Sequence, residues 1–318
     1  MPVISSQKII KTARLSVVSN TLLTICKLIT GVIIGSVSII SEAVHSLIDL
    51  IAALIAYIAV KKSSKPADDT HPYGYGKFEN ISGTIEALLI FIAVIYIIYE
   101  SFEKLINPFP VRIPIIGVLV MLFSAFVNFF VSSKLFLTAK EADSVAIEAD
   151  AWHLRTDVYT SLSVMVALLI ITIVESFFLK NIYWLDSMAA LLVAIMIIKT
   201  AWKLIMKSAK DLFDVSLPDE EVGTIKNIIR SNKNIAGYHA FKTRKSGNKR
   251  FVEFHILVIP KMTVYRSHEI TRDLKANISS KLKNVDVTIH VEPCDNTCTP
   301  KCQEGCLIKI FRIENTQK

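Results

Sequence analysis

Two histidine–carboxylate pairs with the same spacing are the residues in this chain best suited to chemistry. His45 and Asp49 form the first pair, and His153 and Asp157 repeat the spacing far along the chain. Residues four apart lie on one face of a helix, because each residue turns the helix by about 100°. Two imidazole nitrogens and two carboxylate oxygens suit a tetrahedral site for Zn²⁺, an ion of intermediate hardness. The pattern therefore predicts one metal site built from these four residues.

Both pairs lie in segments apolar enough to cross a lipid bilayer. A charged group near the bilayer centre costs at least about 3 kcal/mol, so ionisable residues there usually have a function and face protein or water. An interhelical hydrogen bond is the structural alternative for either pair taken alone. Two matching pairs in separate apolar segments favour the metal site. Glu42 and Glu86 lie in segments of the same kind, where they could relay protons or simply hydrogen-bond a neighbouring helix.

The composition is that of a membrane protein. Of 318 residues, 52% are hydrophobic, which is high for an ordinary soluble domain of that length. The formal net charge is +8, but the basic residues occur at the ends of apolar segments and in the polar C-terminal part, without interleaved aromatic residues. This distribution indicates membrane topology rather than a nucleic-acid partner.

Six apolar runs have the length of about 20 residues that a bilayer requires. Lysine and arginine are concentrated before the first run, between the second and third, between the fourth and fifth, and after the sixth. Because positively charged links stay in the cytoplasm, we expect a multi-pass protein of the cell membrane with both termini cytoplasmic. The predicted spans are at about 13–34, 37–60, 80–103, 113–137, 145–175 and 182–206.

A soluble α+β domain is predicted after the last span. Its elements are a helix at 218–231, strands at 235–245 and 249–259, a helix at 264–283 and a strand at 285–292, in the order αββαβ. Alternation in the strands places His255, His290 and Glu292 on polar faces rather than in the core. The expected fold is an all-α membrane domain of six transmembrane helices at 1–207, a small α+β cytoplasmic domain at 208–293 and a cysteine-containing tail at 294–318.

Three stretches together resemble the cation diffusion facilitator family. They are Ser-Glu-Ala-Val-His-Ser-Leu-Ile-Asp at 41–49, Asp-Asp-Thr-His-Pro-Tyr-Gly-Tyr-Gly-Lys at 68–77 and the His-x-x-x-Asp of the fifth span, and the spaced histidines of the soluble domain agree with them. The resemblance covers about residues 10–293. It implies proton-coupled export of divalent transition-metal cations from the cytoplasm by a homodimer, with His45, Asp49, His153 and Asp157 as the transport site.

The resemblance also implies a second metal site in the link between the second and third spans. Asp68 and His71 match its positions, whereas Tyr75 is found where many members have another histidine. From the residues alone, a turn-capping aspartate and a surface histidine are the alternative. Lys77, in the same link, and Asp214, after the sixth span, match positions that often bridge subunits at the dimer interface.

The soluble domain resembles the metallochaperone-like domain of the same family, which has a binuclear metal site. Zn²⁺ would then be both the transported substrate and a regulatory ligand, and no organic cofactor is expected. The residues that match the binuclear site are His239, His255, His268, His290 and Glu292.

Metal and protons compete for the predicted transport site, because protonation removes the imidazole lone pair that binds the metal. The expected function is therefore transport rather than catalysis, with protons, divalent cations and the bilayer as partners. Cd²⁺, Fe²⁺ and Mn²⁺ accept overlapping ligands and are further candidate substrates. A non-transporting metal sensor or assembly partner with the same fold is the alternative. An intramembrane metalloenzyme is disfavoured because the sequence has no His-Glu-x-x-His motif.

The C-terminal tail contains regularly spaced cysteines. Pro300 and Gly305 argue against one continuous helix there. Because cytoplasmic thiols are normally reduced, we expect capture of a soft metal rather than disulfides, with a merely solvated tail as the alternative. The spaced cysteines are Cys294, Cys298, Cys302 and Cys306, while Cys26, in the first span, is expected to be a packing residue.

Overall fold

The computed structural model describes residues 6–34, 37–106, 115–178, 184–295 and 305–308. The chain forms two compact units, one of residues 1–209 and one of residues 210–318. Long helices make up the first unit, and the second contains a three-stranded sheet. The predicted fold class, a helical membrane domain followed by a small α+β domain, is confirmed.

Each of the six long helices extends past the apolar run that predicted it, because polar residues outside the apolar stretch continue the helical hydrogen bonding. Within the described residues, all except the fifth are long and apolar enough to cross a membrane. The predicted fifth span, 145–175, is helical throughout, but its apolar half includes side chains outside the described set. The helices are α1 (Ser6–Ile34), α2 (Val37–Ser63), α3 (Lys77–Ile106), α4 (Ile115–Ala142), α5 (Val145–Phe178) and α6 (Trp184–Leu212).

The first two turns of α5 are enclosed by protein. Ala146 and Ile147 are fully buried and pack in one cluster with Leu135 and Ala139 of α4. Small side chains at such contacts let two helix backbones approach closely. This enclosure shields the polar half of α5, which lipid would not tolerate.

The C-terminal unit has the predicted order αββαβ. Its elements are α7 (Asp219–Ser231), β1 (Gly237–Ser246), β2 (Lys249–Val258), α8 (Val264–Lys281) and β3 (Val285–Pro293). β2 is the central strand; it pairs with β1 antiparallel and with β3 parallel. One face of the sheet packs against α7 and α8, with Val252, Phe254 and Ile256 of β2 in the core.

The register of the sheet aligns three histidines. His239 of β1 lies opposite His255 of β2, and His255 lies opposite His290 of β3. A bulge follows His239, with Ala240 at φ +51°, so the strand bends just beyond that position. Glu292, two residues after His290, lies on the same face as the histidines, because side chains alternate along a strand. We call His239, His255, His290 and Glu292 the histidine row.

Residues 305–308 of the tail return to the free edge of β1. Gly305 O accepts a hydrogen bond from Tyr238 N at 3.1 Å, and Leu307 N donates to Ala236 O at 3.0 Å. Leu307 is 6% exposed and joins the core of the domain. A Cβ atom at Gly305 would lie 1.7 Å from Tyr238 O, so glycine is required for this close approach.

Candidate metal centres

Helices α2 and α5 bring the four predicted transport ligands together. The ligand atoms of His45, Asp49 and Asp157 all lie within 4.8 Å of one another. His153 contacts Asp49: its Nε2 atom is 3.0 Å from Asp49 Oδ1, and His45 Nε2 is 3.9 Å from the same oxygen. The spacing of four explains the pairing within each helix, and the contact between α2 and α5 joins the two pairs. We call these four residues the membrane cluster.

Burial is uneven within the membrane cluster. The side chains of Asp49 and His153 are 8% and 9% exposed, whereas that of His45 is 53% exposed. His153 Nδ1 and Asp157 Oδ2 are buried and have no hydrogen-bond partner in the described part of the chain. Most buried polar atoms in proteins are paired, so free lone pairs in this cluster fit donors to a cation.

A lysine that sequence analysis did not single out lies at the same site. Lys27 of α1 is buried, and its Nζ atom donates to Ser46 Oγ at 2.8 Å. Its charge acts on both Asp49 and Asp157, so it partly balances the carboxylates. A lysine within an apolar span is itself a functional signal and could have been found from the sequence.

The link between α2 and α3 is folded around Asp68. Its Oδ2 atom accepts a hydrogen bond from the Tyr75 hydroxyl at 2.7 Å, and its Oδ1 atom accepts bonds from Thr70 Oγ1 and His71 N at 2.8 Å each. The bond from Tyr75 is the main reason that the pKa of Asp68 is lowered to about 2, and the bonds from Thr70 and His71 add to it. These contacts are those of a turn-capping aspartate.

His71 lies beside this turn. Its Nδ1 atom is 3.8 Å from Asp68 Oδ1, and its ring stacks on Tyr75 with the ring centroids 4.0 Å apart. The structure thus brings Asp68 and His71 together, but the Tyr75 hydroxyl already donates a hydrogen bond to the Asp68 carboxylate. Among the described residues, the groups of three or more metal-ligating side chains do not include this pair, and the link site stays a prediction.

The histidine row forms a second cluster, on the face of the sheet opposite the helices. Glu292 joins two histidines, because His255 Nδ1 is 2.8 Å from its Oε1 atom and His239 Nε2 is 3.2 Å from its Oε2 atom. His290 continues the row, with its ring centroid 4.8 Å from that of His255 and its Nε2 atom 3.6 Å from Glu292 Oε1. The row offers three imidazoles and one carboxylate to a cation.

His268 is the predicted ligand that the structure does not bring to the row. Its side chain is exposed on α8, and none of the contacts in the described ranges joins it to the other four. Helix α8 packs on the core face through Ile270, Leu274 and Ile278, whereas the row occupies the opposite face. Its part in a binuclear site stays a prediction.

The remaining candidates have mixed outcomes. Asp214 pairs with Arg244 at 3.4 Å within its own domain, and Lys77 begins α3, so their role between subunits stays a prediction. Cys298 and Cys302 lie outside the described residues, while Cys306 lies opposite Gly237 of β1. Cys26, expected to be a packing residue, has an exposed side chain on α1, so its packing role stays a prediction.

Comparison with known proteins covers both units. A family model described as the cation efflux transmembrane domain matches residues 13–213, and one described as the cation efflux protein cytoplasmic domain matches residues 217–294.

Several individual proteins are similar over most of their length. The uncharacterized transporter sll1263 of Synechocystis is 32% identical over 265 residues, which cover 83% of this chain and 84% of the relative. The cation-efflux pump FieF of Cronobacter sakazakii is 28% identical over 285 residues, covering 90% and 92%. The metal-bound C-terminal domain of the CzcD transporter from Thermotoga maritima is 31% identical, with 25% of this chain and 93% of that chain covered at a TM-score of 0.24.

The first family model alone covers more than half of the chain, and the second follows it directly. The motif-based prediction is confirmed: the chain belongs to the cation efflux family, the cation diffusion facilitators.

Proposed function

We propose that this protein exports divalent transition-metal cations, with Zn²⁺ preferred, from the cytoplasm in exchange for protons. The observation that carries the proposal is the membrane cluster, in which His45, Asp49 and Asp157 converge and His153 contacts Asp49. Family membership and similarity to the cation-efflux pump FieF support it. The preference for zinc rests on the set of two nitrogen and two oxygen donors. Cd²⁺, Fe²⁺ and Mn²⁺ accept overlapping sets of ligands and are therefore further candidate substrates.

Proton coupling follows from the chemistry of the ligands. A histidine binds metal only through a neutral nitrogen, and an aspartate binds it as the anion, so protons and metal exclude each other from the cluster. If the cluster faces the two sides of the membrane in turn, metal loaded from the cytoplasm is displaced outside by protons, which then move inward. Transport is thus an alternating-access exchange without a catalytic step.

The two units have different roles in this proposal. The helical domain, 1–207, transports the cation across the cell membrane, with both termini in the cytoplasm. The domain at 208–293 binds Zn²⁺ as a regulatory ligand at the histidine row and contributes to a homodimer, and the tail at 294–318 captures soft metal through its thiols. The convergence of His239, His255 and Glu292 supports the regulatory site.

The alternative is a sensor or assembly partner that binds metal through the histidine row without transporting it. Zinc flux into liposomes that contain the purified protein, recorded together with internal pH, separates the two functions. A transporter gives zinc uptake coupled to proton movement, which Asp157→Ala abolishes. If wild-type protein binds zinc but moves neither zinc nor protons, the sensor is the correct function. The same assay with competing Cd²⁺, Fe²⁺ and Mn²⁺ ranks the substrates.

A further inference from the structure

Two carboxyl groups outside the membrane cluster are buried in the helical unit. Glu86 of α3 is 0% exposed and Asp150 of α5 is 2% exposed. Ser82 Oγ donates to Glu86 Oε1 at 3.0 Å, and Ser16 Oγ donates to Asp150 Oδ1 at 3.0 Å. The second oxygen of each group, Glu86 Oε2 and Asp150 Oδ2, is buried without a hydrogen-bond partner in the described residues.

The two carboxyl groups are near each other and near the membrane cluster. The charge of Asp150 acts on Glu86, and both interact with the charge of His153. Asp150 precedes His153 by three residues, about 4.5 Å along the helix axis. By the predicted topology, that is the cytoplasmic side of His153. The Nε2 atom of His153 contacts Asp49, while its Nδ1 atom is buried without a partner in the described residues. His153 thus interacts electrostatically with both carboxyl groups as well as with the membrane cluster.

The elements packed around Glu86 and Asp150 supply few charges. Among the described residues, helix α5 contributes Asp150 and His153, helix α1 donates the Ser16 hydroxyl, and helix α2 acts through Asp49 on His153. Helix α6 packs on α3 through apolar residues. In the described structure, His153 is therefore the one titratable cation that faces the two carboxyl groups.

Glu79 shows how the same helix can satisfy both oxygens of a buried carboxyl group. It lies two turns before Glu86 and is 3% exposed. Both of its oxygens accept hydrogen bonds, from Ser63 Oγ at 2.7 Å and from Ser144 Oγ at 2.5 Å. Within the described ranges, Glu86 and Asp150 lack this second bond. An ionised carboxylate is strongly disfavoured in such a setting, and two neighbouring ones repel each other.

We propose that Glu86 and Asp150 form a proton-binding pair that holds one exchangeable proton beside the transport site. Either unpartnered oxygen can hold the proton, and a divalent cation bound at the membrane cluster favours its loss, because positive charge stabilises nearby carboxylates. When metal enters from the cytoplasm, the proton leaves the pair for cytoplasmic water. When metal departs on the other side, the pair takes up a proton again. This role rests on the proposed function, to which it adds a residue-level proton site.

The test is a count of protons released per zinc bound by purified full-length protein in a weakly buffered detergent solution. We expect Glu86→Gln and Asp150→Asn to release about one proton fewer per chain than wild type, with unchanged zinc stoichiometry. Zinc bound elsewhere contributes equally to all variants and cancels in the difference. Glu86→Asp, which keeps the carboxyl group, should restore the count. Glu79→Gln is the matched control and should leave it unchanged.

The outcomes separate this pair from the transport function itself. An unchanged proton count in Glu86→Gln and Asp150→Asn overturns the pair, and so does a loss of one bound zinc per chain, which would make the two residues metal ligands. Continued transport by Asp157→Ala overturns the proposed function instead. If the amide variants do not fold, infrared difference spectra of wild type decide. If a protonated-carboxyl band disappears when zinc is added, the proton-binding pair is supported. If no such band disappears, the pair is contradicted.

Discussion

The membrane cluster and the histidine row place the same chemistry in two different settings. In each, one carboxylate contacts two histidines: Asp49 contacts His153 at 3.0 Å and His45 at 3.9 Å, and Glu292 contacts His255 at 2.8 Å and His239 at 3.2 Å. The settings differ in burial, because Asp49 is 8% exposed and Glu292 is 31% exposed.

Burial decides how far a lost ligand can be replaced. At an exposed site, water can take the vacant coordination position and solvate a group left without its partner. In a buried site, removal of one group leaves the others unpaired, which is far more disruptive. We therefore expect that loss of one ligand abolishes the function of the membrane cluster, whereas loss of one ligand only weakens metal binding at the histidine row. The following predictions test this difference, from the largest expected effect to the smallest.

Asp157→Ala should abolish zinc transport, with at least about a 100-fold fall in rate, since even outer-shell changes at metal sites cost 10- to 100-fold. The protein should remain folded, because the residue serves a site rather than a packing core. Flux into liposomes and thermal unfolding check the two statements. Leu162→Ala, at an exposed position of α5, is the control. Near wild-type flux in Asp157→Ala would remove the transport assignment from the membrane cluster.

Glu292→Gln should weaken zinc binding at the histidine row by about tenfold without abolishing transport at saturating zinc. The carboxylate that joins two imidazoles is lost, but the histidines remain. Equilibrium zinc binding to full-length protein measures the effect, and distances between the two subunits with and without zinc show whether the row controls their approach. Glu253→Gln is the matched control, because Glu253 lies on the same face of β2 as His255. A complete loss of transport in Glu292→Gln would contradict this expectation.

Gly305→Ala should release the tail from β1 while leaving every thiol in place. The added Cβ atom cannot be accommodated next to Tyr238 O, and Leu307 would leave the core, which lowers the free energy of unfolding by up to about 1.5–3 kcal/mol. Gly223→Ala is the control, since a Cβ atom there meets open space; because Gly223 lies within α7, this change should raise stability by about 0.5–1 kcal/mol. Calorimetry compares each variant with wild type, and wild-type stability of Gly305→Ala would show that the tail does not dock.

Deletion of residues 294–318 addresses the thiols directly. We expect a rise of a few-fold in the zinc concentration for half-maximal transport and a smaller fall in the maximal rate, because the transport ligands remain. Protection of Cys294, Cys298, Cys302 and Cys306 from thiol labelling by zinc or cadmium is the direct measurement. Labelling that neither ion slows would leave the solvated tail as the correct description.

Tyr75→Phe should have the smallest effect. It removes the main cause of the low pKa of Asp68, so that pKa should rise from about 2 toward its ordinary value. Because the pKa is lowered in the folded chain, the stabilisation by ionised Asp68 is complete above about pH 4 and is lost as pH falls through about 2. Carboxyl NMR should show the shift, while transport near pH 7 changes less than about twofold. A large transport defect would instead assign Tyr75 and Asp68 to the cation path.

Local periodicity made much of this protein predictable. His45 and Asp49 had to share a face of α2 once that segment was helical, and the alternation of β3 placed His290 and Glu292 on one side of the sheet. The apolar runs likewise predicted the long helices, because the bilayer sets their length. These features depend on residues near one another in the chain, so the sequence by itself determined them.

Tertiary packing decided what periodicity could not. The alignment of His239, His255 and His290 on one rung depends on strand register, and a slip by one residue would turn the side chains to the other face. Whether a buried glutamate finds two donors, as Glu79 does, or one, as Glu86 does, depends on which helices pack nearby. His268 stays apart because α8 packs on the core face of the sheet. These outcomes are fixed by contacts between elements distant in sequence, and no local pattern encodes such contacts.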